Sequence, residues 1–232
     1  MDLKKRTIRS YVLRSGRLSS TAARALQEYS DLYVLRFSSQ LLDLDRIFPV
    51  SRPVIVEIGF GMGHVTVELA RTYPEYNYLG IEVYPPGVGR VLNAIHTMNL
   101  ENLLVIQADA AQVLESMIPA ESIHGFHVFF PDPWPKKKHH KRRLLQAGFL
   151  HTIAERLRPG GYFYAVTDWE SYAEQVLAAV AGEELLVNPY DGFAPPRQWR
   201  PKTSFQRKGE LKEHPIREIW AEKRTAPAGN AV

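Results

Sequence analysis

Residues 54–70 read VIVEIGFGMGHVTVELA. The first five, VIVEI (54–58), are β-branched except for Glu57, a short apolar run of the kind a strand buried on both faces uses. Glycines at 59, 61 and 63 interrupt it, and HVTVELARTY (64–73) follows as a helix. Strand, glycine turn and helix make one unit of an α/β fold, and the unit recurs downstream. YLGIE (78–82) reads as a second strand, with a helix after it to Met98. LLVIQ (103–107) reads as a third, followed by a short helix over Ala110–Met117, and HGFHVFF (124–130) as a fourth. RLLQAGFLHTIAERL (143–157) reads as a helix closed by Pro159-Gly160-Gly161, the usual stop pattern. YFYAV (162–166) gives a fifth strand and WESYAEQVLAAVA (169–181) a helix. Apolar strands alternating with helices predict a parallel sheet covered on both faces. EELLVNP and PIREIWAE bracket a polar stretch rich in Pro and Arg (190–215), and with no helix between them they are expected to pair antiparallel.

The acids fall in register with this repeat. Glu57 ends strand one, Glu82 ends strand two, Asp109 lies just past strand three and Asp132 follows strand four. In an open parallel sheet, ligands bind outside the carboxyl ends of the strands, so four such acids are expected to face one crevice. Any one of them alone is equally well explained as a helix N-cap or a solvated loop residue. One glycine would serve a tight turn; Gly59, Gly61 and Gly63 exceed that need and let the backbone approach a ligand. The spacing is not GxGxxG, and Glu57 beside the loop disfavours a pyrophosphate. A ligand with an ammonium group and no phosphate suits it better. Glu82 would accept hydrogen bonds from ribose hydroxyls, and Asp109 would lie near an adenine edge. That combination describes S-adenosylmethionine.

FFPDPWPKKKHHKRR (129–143) carries the rest of the chemistry. Asp132 is locked between Pro131 and Pro133; Trp134 follows, and residues 136–143 hold six Lys/Arg and two His. A rigid acid at a strand end beside an aromatic plate suits chemistry on a flat ring, and the basic run suits a nucleic acid. Trp134 would stack on that ring, cover the donor or plug the core. His139 and His140 have no acidic neighbours in the run, so no metal site is read there. The net charge is only +4, yet residues 1–17 hold six Lys/Arg against Asp2 alone. Positive charge spread so unevenly points to a polyanionic partner. Residues 1–50 read as a basic N-terminal extension, partly flexible, ahead of a domain over 51–225 and a tail over 226–232. The absence of Cys excludes disulfides, thiolate metal sites and cysteine nucleophiles, and fits a cytoplasmic protein. No apolar run approaches the length needed to cross a bilayer, and the N-terminus lacks the apolar core of a secretory signal. Monomer and homodimer both stay open.

EIGFGMG, GIEVY, QAD (107–109), FPDPWPKKKHHKRR, LRPGG, TD (167–168) and TSFQRKG (203–209) resemble, in order and spacing, the motifs of the single-chain bacterial tRNA (guanine-N7-)-methyltransferases. The resemblance covers roughly residues 50–222. It implies a Rossmann-like class I S-adenosylmethionine-dependent methyltransferase, with a seven-stranded, mostly parallel sheet and an antiparallel final strand. It implies methylation of guanine N7 in tRNA, at the variable-loop guanine, position 46 in tRNA numbering. It also implies that Glu57, Glu82, Asp109 and Asp132 bind the donor and that Asp132 is catalytic. Lys136, Asp168 and the four residues Thr203, Ser204, Phe205 and Gln206 would contact the substrate. Lys138, His139, His140, Lys141, Arg142 and Arg143 would hold tRNA phosphates. One departure stands out: the family usually reads T-[KR]-F-E-x-R-G, and Ser204 and Gln206 here replace a base and an acid.

Two other readings remain at this level. Asp132-Pro133-Trp134 partly echoes the acid-Pro-Pro-aromatic motif of enzymes that methylate exocyclic amines, although the single proline after the acid and the basic run argue against them. A non-catalytic RNA-binding protein on the same fold is the second, opposed by the intact acids and glycines. Asp168 either grips the base or caps the helix opening at Trp169.

Overall fold

The structure is a computed structural model that describes residues 9–12, 17–203, 206 and 215–225. Ser204, Phe205 and the tail over 226–232 lie outside the described residues. The strands are β1 (Val54–Ile58), β2 (Asn77–Ile81), β3 (Leu103–Ile106), β4 (Ile123–Phe129), β5 (Leu157–Thr167), β6 (Leu186–Val187) and β7 (Arg217–Lys223). The helices are α1 (Ser20–Tyr33), α2 (His64–Thr72), α3 (Pro85–Met98), α4 (Ala110–Ser116), α5 (Ala147–Arg156) and α6 (Glu170–Ala181).

The strands form one seven-stranded sheet in the order β3-β2-β1-β4-β5-β7-β6. β1 to β5 run parallel, and β7 lies antiparallel to both β5 and β6. The expected antiparallel pairing of the last two strands is therefore present, with β7 slotted inside β6. Side chains alternate across the sheet. Val56, Leu79, Phe126 and Phe163 pack with α4, α5 and α6 on one face. Ile55, Tyr78, Phe129 and Tyr164 pack with α1, α2 and α3 on the other. The chain reverses its strand order between β1 and β4, which puts a crevice at the carboxyl ends of these strands.

Three features differ from the sequence reading. The stretch before residue 51 is in part built into the domain. Ser19 caps α1 by accepting from Ala22 N at 3.2 Å, Ala25 is fully buried and Phe48 joins the core. The buried residues of α1 are two alanines, Ala22 and Ala25, so its apolar stripe is weak in the sequence. α5 starts at Ala147 rather than Arg143, because Gln146 Nε2 donates to the carbonyls of Lys141 and Arg143 and ends the basic turn. Finally, α5 does end at Arg156, ahead of Pro159-Gly160-Gly161, but those three residues already lie inside β5. The pairs Ile123–Leu157 and Gly125–Tyr162 bracket a bulge there, and Gly160 takes φ +72° at its turn.

Candidate active site

A cavity of about 280 Å³ opens at the carboxyl ends of β1, β2 and β4. Glu57, Glu82 and Asp132 line it, together with Gly59, Gly61, Gly63 and Thr203. The loop after β1 wraps its floor. All three loop glycines have positive φ, and Gly63 opens α2 where a Cβ would meet Val91 Cγ2 at 2.0 Å. At Gly59 and Gly61 a Cβ would meet nothing within 4 Å, so both glycines leave open space on the cavity wall.

Glu57 is only 4% exposed and accepts from Thr66 Oγ1 at 2.8 Å. Burial pushes its carboxyl up to about 7, against the pull of the Thr66 hydroxyl and with help from the charge of Glu82. Glu82 accepts from Gly61 N at 2.7 Å, Val83 N at 2.7 Å and Tyr84 N at 3.0 Å. Its pKa is also raised, chiefly by burial, although these three amides oppose the shift. A carboxylate offers about four acceptor sites, so one remains for a ligand hydroxyl, while Gly61 N ties the glycine loop to the end of β2 and Val83 N and Tyr84 N close the turn after it. Asp109 caps α4 by accepting from Ala111 N at 3.0 Å. It stands behind the cavity wall, whose lining includes its neighbours Ala108 and Ala110. Its carboxylate also interacts with the Tyr11 hydroxyl, whose pKa rises first through burial and then through Asp109.

The Asp132 loop is held in an unusual shape. Phe130 (φ +52°) and Trp134 (φ +44°) both sit in the left-handed region, where a non-glycine residue costs on the order of 1–3 kcal/mol. Asp132 between them is exposed to the cavity. Trp134 is half-buried, outside both the core and the lining of the cavity. Its indole N–H donates to Ser10 O at 2.9 Å, and Arg142 lies 4.0 Å from its ring centre. Arg142 also donates to Arg9 O at 3.1 Å, so the pair clasps residues 9–11 against the site.

The basic run forms a 3-10 helix over Lys137–Arg142. Lys136, Lys137, Lys138 and Lys141 are exposed on it, while His139 and His140 are half-buried. Arg143 departs from the expected phosphate surface: it is 2% exposed and points inward. The reason is local, since a network of oxygens from Pro133, Ser171 and Gln175 takes all three guanidinium nitrogens.

At the cavity edge, Thr203 Oγ1 accepts from Gln206 N at 2.9 Å. Gln206 is buried and its Oε1 accepts from Arg200 at 2.8 Å. Arg200 in turn pairs with Glu218 at 2.8 Å, so Gln206 sits behind the cavity rather than in it. Asp168 follows β5 but does not cap α6, whose N-cap position is Trp169. The structure thus brings Glu57, Glu82, Asp132, the glycines and Thr203 together, and leaves Asp109, Lys136, Asp168 and Gln206 around them.

Sequence reasoning missed Ser10, Tyr11 and Gly87. The first two line the cavity from a segment with no strand–helix pattern to place it. Gly87 did carry a signal. With Gly89 it puts two glycines inside α3, which helices disfavour, and a Cβ at Gly87 would strike Gly61 O at 1.8 Å. The glycine loop rests directly on that helix.

A seven-stranded doubly wound sheet, with a glycine loop and strand-end acids around one crevice, defines a class I methyltransferase. The solved structure of 16S rRNA methyltransferase KamB superposes with TM-score 0.59 at 16% identity, covering 80% of this chain and 95% of that one. The aminoglycoside resistance methyltransferase NpmB1 gives TM-score 0.55 at 19% identity, covering 79% and 94%. A family model described as "Putative methyltransferase" matches residues 51–219. The tRNA (guanine-N(7)-)-methyltransferase of Nitrosospira multiformis is 47% identical over 93% of each chain. That of Chromobacterium violaceum is 45% identical, covering 93% of this chain and 95% of its own. The chain belongs to the tRNA (guanine-N(7)-)-methyltransferase family.

Its cofactor is S-adenosylmethionine, and the cavity fits that group. The lining holds buried carboxylates and no Lys or Arg among the described residues, which suits an ammonium and hydroxyls rather than a phosphate.

Proposed function

We propose that this protein methylates N7 of a guanine in tRNA, specifically the variable-loop guanine at position 46 in tRNA numbering. The observation that carries the reading is the shared cavity. Asp132 lines the same space as Glu57, Glu82 and the glycine loop, and exposed Lys136, Lys137, Lys138 and Lys141 begin four residues further on. A methyl donor and a base attached to a polyanion would meet there.

When bound, the donor supplies an electrophilic methyl group on a sulfonium. Glu57 is placed to take its ammonium group and Glu82 its ribose hydroxyls. Guanine N7 carries an in-plane lone pair and no proton, so the transfer needs no general base. It needs N7 aligned with the methyl group and stabilisation of the positive charge that develops on the purine. Asp132 is the carboxylate on hand for that charge. Asp168, just past the end of β5, would grip the base, and Thr203 would close the far wall. Lys136, Lys138 and Lys141 hold tRNA phosphates. A tRNA substrate also makes the cytoplasm its place of work.

The test is methylation of unmodified tRNA followed by mapping of the modified nucleoside. N7-methylguanosine at variable-loop position 46 is expected; methyl groups on adenine N6, or on a guanine elsewhere, would overturn the reading. Asp132→Ala is expected to bind tRNA as the parent does and to lose most turnover. Near-normal turnover would remove Asp132 from the chemistry.

A further inference from the structure

Arg143 belongs to the basic run in sequence but not in space. Its Nε–H donates to Pro133 O at 2.8 Å. Nη1 donates to Gln175 Oε1 at 2.7 Å and to Ser171 O at 3.3 Å, and Nη2 donates to Ser171 Oγ at 3.2 Å. The guanidinium lies 4.8 Å from the centre of the Tyr172 ring. None of these acceptors is a carboxylate. A guanidinium taken out of water and met only by neutral oxygens is a costly arrangement, and an apolar side chain would fill the same space more cheaply. The places of the acceptors show what the arrangement achieves. Pro133 directly follows Asp132. Ser171 comes three residues after Asp168, in the first turn of α6.

We infer that Arg143 is a positioning residue, which fixes the Asp132 loop against the start of α6 and so sets Asp132 relative to Asp168, and that it does not bind RNA. This rests on the reading of Asp132 as the carboxylate beside the reacting ring. The loop needs such an anchor, because Phe130 and Trp134 hold it in the left-handed region on either side of Asp132. β5 anchors one end, where Phe130 N donates to Val166 O at 2.7 Å. Arg143 anchors the other. Only a planar fork reaches Pro133, Ser171 and Gln175 together; a lysine ammonium is a point charge on a flexible stem and cannot.

Arg143→Lys and Gln175→Leu test this, with Lys138→Ala/Lys141→Ala as the RNA-surface control. The readouts are tRNA affinity at several salt concentrations and the single-turnover methylation rate at saturating tRNA and donor, per donor-binding site. Arg143→Lys is expected to leave tRNA affinity within about twofold and the salt slope unchanged, while the single-turnover rate falls by about 10²-fold, the size of effect a 1 Å misplacement produces. Gln175→Leu is expected to show a smaller fall in the same direction, and it keeps the test open should Arg143→Lys not fold. A rate within twofold of the parent in both variants, whatever happens to the melting temperature, overturns the inference by leaving Arg143 a purely structural role. Weaker tRNA binding with a flattened salt slope and an intact maximal rate overturns it in favour of RNA contact. Asp132→Ala run alongside separates the claims. If it is inactive while Arg143→Lys is normal, the Arg143 inference alone falls. If it is active, the reading beneath it falls too.

Discussion

Glu57 is a carboxylate with almost no access to water, and its pKa moves from 4.5 to about 7. In the donor-free protein the folded state therefore holds a proton, between about 4.5 and about 7, that the unfolded chain has released. Stability then falls as pH rises through this window and levels off above it. Donor binding runs the other way, because an ammonium needs the ionised carboxylate. Donor affinity is expected to strengthen as pH rises from 6 to 8, and binding near pH 6.5 is expected to release a proton. Calorimetry in two buffers of different ionisation heat measures that release, and Glu57→Gln should abolish it. At this scale the sequence placed the acids well, since the strand–helix repeat alone puts Glu57, Glu82 and Asp132 at strand ends. It did not separate the roles of Asp109 and Arg143. A residue type carries no record of burial, and both side chains are claimed by neighbours far along the chain or by a local cap.

The 3-10 helix over Lys137–Arg142 is an element with two sides. Lys138 and Lys141 face solvent, whereas Arg142 reaches back to Trp134 and residues 9–11. Phosphate binding by the exposed side predicts a measurable electrostatic signature. Neutralising Lys138 and Lys141 together should weaken tRNA binding and reduce the salt slope by about one for each phosphate that no longer meets a lysine. Filter binding across a salt series checks this, and an unchanged slope would mean that the turn does not touch the backbone. Element identities were legible from periodicity, but two boundaries were not. The apolar spacing of Leu144 and Leu145 runs on into α5, so nothing in the pattern marks Ala147 as its start. The Pro-Gly-Gly signal follows the end of α5 as expected, but it also forms the bulge of β5, which begins already at Leu157.

For the whole molecule, the segment from Arg200 to Gln206 is tied to the sheet through a buried ion pair. Arg200 and Glu218 are 3% and 2% exposed at their side chains and 2.8 Å apart. Tyr164 of β5 donates to Glu218 and accepts from Arg200, and Gln206 takes the remaining arm. Glu218 already balances the charge of Arg200, so a neutral amide at 206 suffices for the remaining arm. Arg200→Met should cost about 3–5 kcal/mol, since it leaves a buried carboxylate without its partner; denaturant unfolding measures it, and a loss under about 1 kcal/mol would show that water reaches Glu218. The link was invisible in the sequence because its members lie on β5, β7 and the stretch between them, brought together only by sheet order. The parallel core, by contrast, could be read strand by strand.

That sheet order also sets a schedule for synthesis. β7 lies between β5 and β6, and it is the only strand that β6 pairs with among the described residues. A growing chain has all three carboxylates that line the cavity by Asp132, well before β7 is made. The outer sheet, in contrast, waits for residues 217–223, which must enter between two segments already present. A chain that stops short of Arg217 would carry the cavity acids but lack Glu218, and with it the buried partner of Arg200. The carboxylates of the cavity precede, in time, the ion pair that ties residues 200–206 to the sheet.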